Sequence, residues 1–312
     1  MKISIIVPVY NVEKYVLECL NSISGLSLDY EIIVVNDGSK DSSLEIINQF
    51  VSSFNGSIKV ISKSNGGLSS ARNTGIFNAS GDYLFFLDSD DYIVKKQFEA
   101  FAEDVIKDNV DIGFADYCYL RNGKIEANRE AAYRKVIAAK DNLIRDGISY
   151  AELFFDKRHN FFNVEACFIL IKRDLLLKNN ILFKEGIYHE DTLFTLSCLV
   201  VARRVNFYNN TFYVYRMRDD SIMHTSNYKV IEKKFQDKGI IAQELYLLKN
   251  RKRISAVFLD SLIVELLLVS FMHFKKKNEF TKEVLNGCKK LTIKSIVRVL
   301  LYKILSIKYA KS

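Results

Sequence analysis

Three carboxylates occupy four consecutive positions at Asp88-Ser89-Asp90-Asp91, immediately after an apolar run. Packed this closely, such groups repel one another unless positive charge is supplied. A hard divalent cation bound through oxygens, with phosphate oxygens as further ligands, suits the cluster. A calcium loop does not fit. Glu99 stands at the twelfth position, but Tyr92 and Ile93 fill the places that need an oxygen ligand and a glycine. The plainer use, an Asp capping a helix N-terminus, needs only one carboxylate.

Three further groups carry polar chemistry. Asn65-Gly66-Gly67-Leu68-Ser69-Ser70-Ala71-Arg72-Asn73 brings paired glycines to the start of a helical pattern. Backbone N–H groups there can approach an anion, and the Arg72 guanidinium offers a planar fork for phosphate. Its spacing is neither that of a P-loop nor that of a dinucleotide fingerprint, and a plain glycine turn accounts for it about equally well. Asn36-Asp37-Gly38-Ser39 reads either as a turn or as an acceptor for a base or ribose donor. Glu190-Asp191 opens an apolar helical stretch. It reads as a carboxylate able to take a proton from an attacking hydroxyl, or as a helix start stabilised by the dipole.

The elements that must position these groups follow from hydrophobic periodicity. Residues 3–7, 31–35, 58–61 and 83–87 are apolar, β-branched or aromatic runs, separated by helical patterns over 12–24 and 43–54 and by a glycine-rich loop with a further helix. Strands alternating with helices of this length predict βαβ units and a mostly parallel sheet covered on both faces. Ligands in such sheets bind beyond the carboxyl ends of the strands. Three of those ends run into Pro8-Val9-Tyr10-Asn11, Asn36-Asp37-Gly38-Ser39 and Asp88-Ser89-Asp90-Asp91. Further along, residues 111–119 and 207–215 read as strands, 173–179 and 192–201 as helices, and the chain beyond Asn227 as nearly all helix.

Taken together, VPVYN, VVNDGS, NGGLSSARN, FLDSDD and the later ED of HEDTLF resemble the family 2 glycosyltransferases of GT-A fold, over roughly residues 1–228. The resemblance implies an α/β catalytic domain with a nucleotide-sugar half at about 1–110 and an acceptor half at about 111–228, followed by a helical region at 229–312. It implies that Pro8, Tyr10, Asn11 and Asp37 form a uracil and ribose pocket, helped by Glu13, and that Asn65, Gly67, Arg72 and Asn73 form the donor loop. The 88–91 stretch is similar to the DxD element, which touches ribose and holds Mn²⁺ or Mg²⁺ on the diphosphate. Asp88 and Ser89 then face the donor, and Asp90 and Asp91 are the expected metal ligands. His224 lies where a late metal-binding His is found in many such enzymes, although a solvated loop His is the commoner case. Asp191, beside Glu190, corresponds to the general base of inverting members. Arg216 corresponds to a diphosphate or acceptor contact, or else to a surface Arg after an edge strand. The implied donor is a UDP-sugar, and the implied acceptor a saccharide, often lipid-linked, in capsule, O-antigen or exopolysaccharide synthesis.

Composition narrows the setting. The N-terminus shows no secretory pattern. Five scattered cysteines without ligand spacing read as buried thiols in a reducing compartment, hence a cytoplasmic protein. From Lys229 to Ser312 the chain holds 19 Lys and Arg against 7 Asp and Glu, whereas the preceding residues are mildly acidic. Residues 289–312 carry seven basic residues and no acid on a helical apolar pattern, which suits an anionic membrane surface at its cytoplasmic side. Nucleic acid is disfavoured, because no binding motif accompanies the charge. Residues 254–274 are apolar but contain Asp260 and Glu265, which points to a helix packed on the catalytic domain rather than a membrane span. Two other readings are weaker. A nucleotidyltransferase carries a basic glycine-rich signature after its first strand, absent here, and an inactive scaffold subunit has no need of clustered carboxylates.

Overall fold

A computed structural model describes residues 1–128, 143–154, 164–218, 227–252, 254 and 257–274. His224 and the basic stretch 289–312 lie outside the described residues. The chain divides into two compact units. One comprises Met1–Gly186 with Cys198–Ser221, the other Ile187–Ser197 with Ile222–Ser312. The segment containing Glu190 and Asp191 therefore groups with the C-terminal helices.

The first unit is built on a sheet. Strand β1 (Ile3–Val9) is buried along its whole length, and β2 (Tyr30–Asn36) along its last five residues. Helix α1 (Val16–Ile23) lies between them and buries Val16, Cys19, Leu20 and Ile23 on one stripe. It begins later than residue 12, because Val12 donates its N–H to Ser43 Oγ at 2.9 Å and the chain turns there. Helix α2 (Ser43–Ser53), β3 (Ile58–Ser62), α3 (Leu68–Asn78) and β4 (Tyr83–Phe86) complete the alternation. Strands β3, β2, β1 and β4 are adjacent in that order and mutually parallel, as the alternation predicts.

Beyond β4 the sheet changes character. The two-residue β5 (Tyr92–Ile93) precedes α4 (Lys95–Asp108), which buries Phe98, Phe101, Ala102 and Val105 at helical spacing. Then come β6 (Ile112–Arg121), β7 (Lys124–Ala127), α5 (Gly147–Phe154), β8 (Ile169–Lys172), α6 (Arg173–Asn179), α7 (Glu190–Val201) and β9 (Val205–Arg216). Among the described residues the full order is β3-β2-β1-β4-β8-β6-β9-β5, with β7 beside β6. Strand β8 enters antiparallel to both β4 and β6, and β6 pairs parallel with β9. Phe85, Phe98, Phe101 and Phe212 meet ring to ring beneath this part of the sheet, with centroids 4.7 to 5.6 Å apart.

In the second unit, α8 (Tyr228–Lys252) packs against α9 (Val257–Phe274). Ile241, Ala242 and Leu245 of α8 and Leu259, Ile263 and Leu267 of α9 are buried. Asp260, one of the acids that interrupts the apolar run, pairs with Lys249 of α8. Helix α9, which the sequence reading placed against the catalytic domain, packs on the neighbouring helix α8. Among the described residues no helix is long and apolar enough to cross a membrane. The described cysteines Cys19, Cys118, Cys167 and Cys198 are buried free thiols.

Candidate active site

The loops after β1, β2, β3 and β4 are tied to one another in series. Val9, the last residue of β1, accepts the Asp37 N–H at 2.8 Å. Asn11, in the left-handed region at φ 51, accepts the Lys40 N–H at 2.8 Å and donates its own N–H to Ser39 Oγ at 3.2 Å. Glu13 accepts the Ser42 N–H at 2.9 Å. Pro8 is buried within β1, paired in register with Val35, while the Tyr10 ring is exposed.

Asp37 joins the second loop to the third. Its carboxylate is buried and accepts the Gly67 N–H at 2.7 Å, the Gly66 N–H at 3.0 Å and Lys63 Nζ at 2.7 Å. Asn65 donates its side-chain amide to the Asp37 carbonyl at 3.0 Å. The anion met by the paired glycines is thus Asp37 itself. Lys63, directly after β3, supplies a counter-charge that the sequence pattern did not single out. Gly67 has φ 86 and ψ 171, a conformation essentially reserved for glycine, and it starts α3.

Helix α3 delivers Arg72 and Asn73 inward. Arg72 is buried, sits 5.1 Å from the Phe183 ring centroid, and donates to Asp88 Oδ1 at 2.8 Å. Asn73 holds the Phe183 backbone by donating to its carbonyl and accepting its N–H, both at 2.9 Å. Arg72 therefore reaches the acidic loop, and Asn73 fixes the segment against which Arg72 stacks.

The acidic loop itself is sorted by orientation. Asp91 is buried, with Oδ2 accepting the Tyr213 hydroxyl and Oδ1 the Arg216 N–H, each at 2.7 Å. Burial pushes its carboxyl well above the usual range, and the charges of Asp90 and Asp88 push it further. Asp88 and Asp90 keep 25% and 24% of their side-chain surface exposed, whereas Asp91, one of the two metal ligands expected from sequence, is buried. Ser89, between Asp88 and Asp90, is buried. Arg218, two residues past the end of the β9 ladder, pairs with Asp90 Oδ2 at 2.7 Å. Arg216 donates to the Asp90 carbonyl at 2.9 Å and to Glu18 at 2.6 Å, with its guanidinium 5.1 Å from the Tyr15 ring and 5.6 Å from that of Tyr92. Arg216 is accordingly a strut of the acidic loop. Arg218 was missed in the sequence, and its only signal there was the Tyr-Arg-Met-Arg repetition of arginine.

Burial raises the Asp90 carboxyl too, as does Asp88, while Arg218 and Arg216 oppose the rise. The positive charge that so many acids require is thus supplied within the protein by guanidinium groups. Among the described residues no three His, Cys, Asp or Glu side chains gather for a metal ion. Two outward carboxylates nevertheless fit a Mn²⁺ or Mg²⁺ ion of the kind that takes one or two protein ligands and completes its shell with phosphate and water.

In the second unit, Glu190 and Asp191 form the first turn of α7 and are half-buried. The chain enters that turn through His189, at φ 61, and Tyr188 donates its N–H to the buried Asp237 of α8 at 2.8 Å. Asp237 also pairs with Lys233 at 3.0 Å. Burial, with Lys238 and Lys234 nearby, lowers the His189 imidazole to about 4 against the pull of Asp237, so it is neutral at pH 7.

A parallel βαβ half whose strand ends carry acids and an inward arginine, extended by antiparallel strands, defines a GT-A type of transferase fold. The crystal structure of Staphylococcus aureus TarS residues 1–349 in complex with UDP-GlcNAc superposes with a TM-score of 0.67 at 24% identity, over 97% of this chain and 79% of that one. The glycosyl transferase family 2 profile matches residues 4–178, and the chain belongs to that family. It is 36% identical over 225 residues to the uncharacterized glycosyltransferase EpsJ of Bacillus subtilis, covering 70% of this chain and 62% of that protein. It is 27% identical over 288 residues to the poly(ribitol-phosphate) beta-N-acetylglucosaminyltransferase TarS of S. aureus, covering 91% of this chain and 46% of that protein. The chain thus spans less than two thirds of the length of either relative.

Proposed function

We propose that this protein is an inverting, metal-dependent glycosyltransferase that moves a hexose or related sugar from a UDP-sugar to a saccharide acceptor, in many such systems a lipid-linked one. The observation that carries this reading is the outward pair Asp88 and Asp90 at the end of β4, with Arg72 buried behind it. Membership of the family supports a sugar-transfer role. The UDP-GlcNAc complex of TarS makes that nucleotide sugar the first donor to try.

In this reading Asp37 and the loop it orders, with Tyr10, Asn11 and Glu13 beside it, cradle the nucleoside. Asp88 and Ser89 sit on the donor side of the acidic loop, and Arg72 stabilises negative charge on the leaving diphosphate. A divalent cation bound at Asp88 and Asp90 would add a second positive charge to that leaving group. Asp191 takes the proton from the acceptor hydroxyl, whose oxygen bonds to the anomeric carbon as the bond to the phosphate oxygen breaks. One such displacement converts an α-linked donor into a β-linked product. The C-terminal basic stretch would bring the enzyme to an anionic membrane at its cytoplasmic face.

A panel of nucleotide sugars tests this, with donor hydrolysis and protection against thermal unfolding measured with and without Mn²⁺ or Mg²⁺. Metal-stimulated hydrolysis of a UDP-sugar is expected. Binding without hydrolysis would instead favour an inactive scaffold role, and absence of any nucleotide effect would overturn the donor assignment.

A further inference from the structure

Three arginines face the acidic loop, and they are held differently. Arg72 is buried against Phe183, and Arg216 is fastened to the Asp90 carbonyl, to Glu18 and between Tyr15 and Tyr92. The Arg216 backbone is further fixed by Asp91. Arg218 lies beyond the end of β9, its side chain 21% exposed, and its guanidinium lies on Asp90 Oδ2 and 5.2 Å from the Tyr15 ring centroid. It occupies an oxygen of the very carboxylate that faces outward beside Asp88.

We propose that Arg218 is a resident counter-cation of the metal site, yielding Asp90 to the divalent ion and moving onto the donor's diphosphate. This inference rests on the donor-and-metal reading above. The Arg218 guanidinium takes one acceptor position of Asp90 and repels a divalent ion brought to the same carboxylate, so in the absence of nucleotide Arg218 opposes metal binding. A diphosphate offers the displaced guanidinium a bidentate partner of higher charge. Nucleotide and metal then strengthen each other's binding, and the coupling is reciprocal.

The test measures Mn²⁺ affinity of the full chain by the loss of the free-Mn²⁺ electron spin resonance signal, and UDP affinity by calorimetry at saturating Mn²⁺. Wild type, Arg218→Gln and Arg218→Lys are compared, with thermal melting to confirm folding. Arg218→Gln is expected to bind Mn²⁺ alone about two- to fivefold more tightly than wild type, the scale of a partly exposed ion pair. The same variant should bind UDP with Mn²⁺ more weakly, because the diphosphate has lost a partner. Arg218→Lys should fall between the two. Tighter Mn²⁺ binding with unchanged UDP binding would reduce Arg218 to through-space repulsion and overturn the proposal. So would unchanged Mn²⁺ binding alone. If wild type binds neither Mn²⁺ nor UDP, the metal-and-donor reading itself fails and takes this inference with it.

Discussion

The hydroxyl of Tyr213 donates to Oδ2 of Asp91 across 2.7 Å, joining the middle of β9 to the acidic loop that follows β4. The other oxygen of Asp91 takes the Arg216 N–H, so this carboxylate braces the loop from behind. Asp88 and Asp90 of the same loop keep about a quarter of their side-chain surface exposed.

Tyr213→Phe removes one partner from a buried carboxylate while keeping the ring. We expect a loss of about 1–3 kcal/mol in stability, the usual result of leaving a buried polar group short of a hydrogen bond. Urea unfolding of the two proteins reads it directly. Equal midpoints and slopes would show that the hydroxyl does not brace the loop.

The same geometry divides the three acids by role. Asp88→Asn and Asp90→Asn should each weaken Mn²⁺ binding measured with UDP by at least about tenfold, the scale reported for disturbing a metal site. Asp91→Asn should lower thermal stability and leave Mn²⁺ binding within a few-fold of wild type. A larger metal defect in Asp91→Asn than in Asp90→Asn would reverse the assignment.

Gly67 offers a conformational probe without a steric one. A Cβ built there meets nothing within 4 Å, yet φ is 86. Gly67→Ala should cost about 1–3 kcal/mol through backbone strain alone. Because the Gly67 N–H is held by Asp37, nucleotide affinity should fall with it. Stability equal to wild type would show that the loop relaxes into another conformation freely.

Asp191→Asn keeps shape and removes basicity. Transfer should drop by about 10²–10⁴-fold, the range for a general base, with UDP-sugar affinity retained. Glu190→Gln, altered at the adjacent position, serves as comparison and should lose less. Wild-type turnover by Asp191→Asn would remove this residue from the base role.

Glu31 sets a pH dependence of stability in the first unit. Burial would raise its carboxyl, but hydrogen bonds from Ser4, Ser80 and Lys2 outweigh burial and hold it at about 2, below the ordinary 4.5. A carboxyl lowered on folding stabilises the native state above its unfolded value, and that stabilisation disappears as pH falls towards about 2. Glu31→Gln should therefore be less stable than wild type near neutrality, with the gap closing between about pH 5 and pH 2. Chemical denaturation across that range is the measurement, and a gap independent of pH would refute the linkage.

Much of this molecule is written in local pattern. The apolar runs that become β1 to β4, the helices between them, and the polar residues at three strand ends follow from periodicity and turn chemistry within a few neighbouring residues. Asp37, Arg72, Asp88 and Asp90 were visible as site candidates for the same reason. What tertiary structure alone decided are matters of partnership at long range. Strand β8 enters antiparallel between β4 and β6, which no local signal specifies. Asp91 turns inward because Tyr213, 122 positions away, meets it, and Arg218 covers Asp90 from the far end of β9. A run of four residues can show that charge is crowded there, but which oxygen faces solvent, and which cation answers it, depends on chain segments that only folding brings into contact.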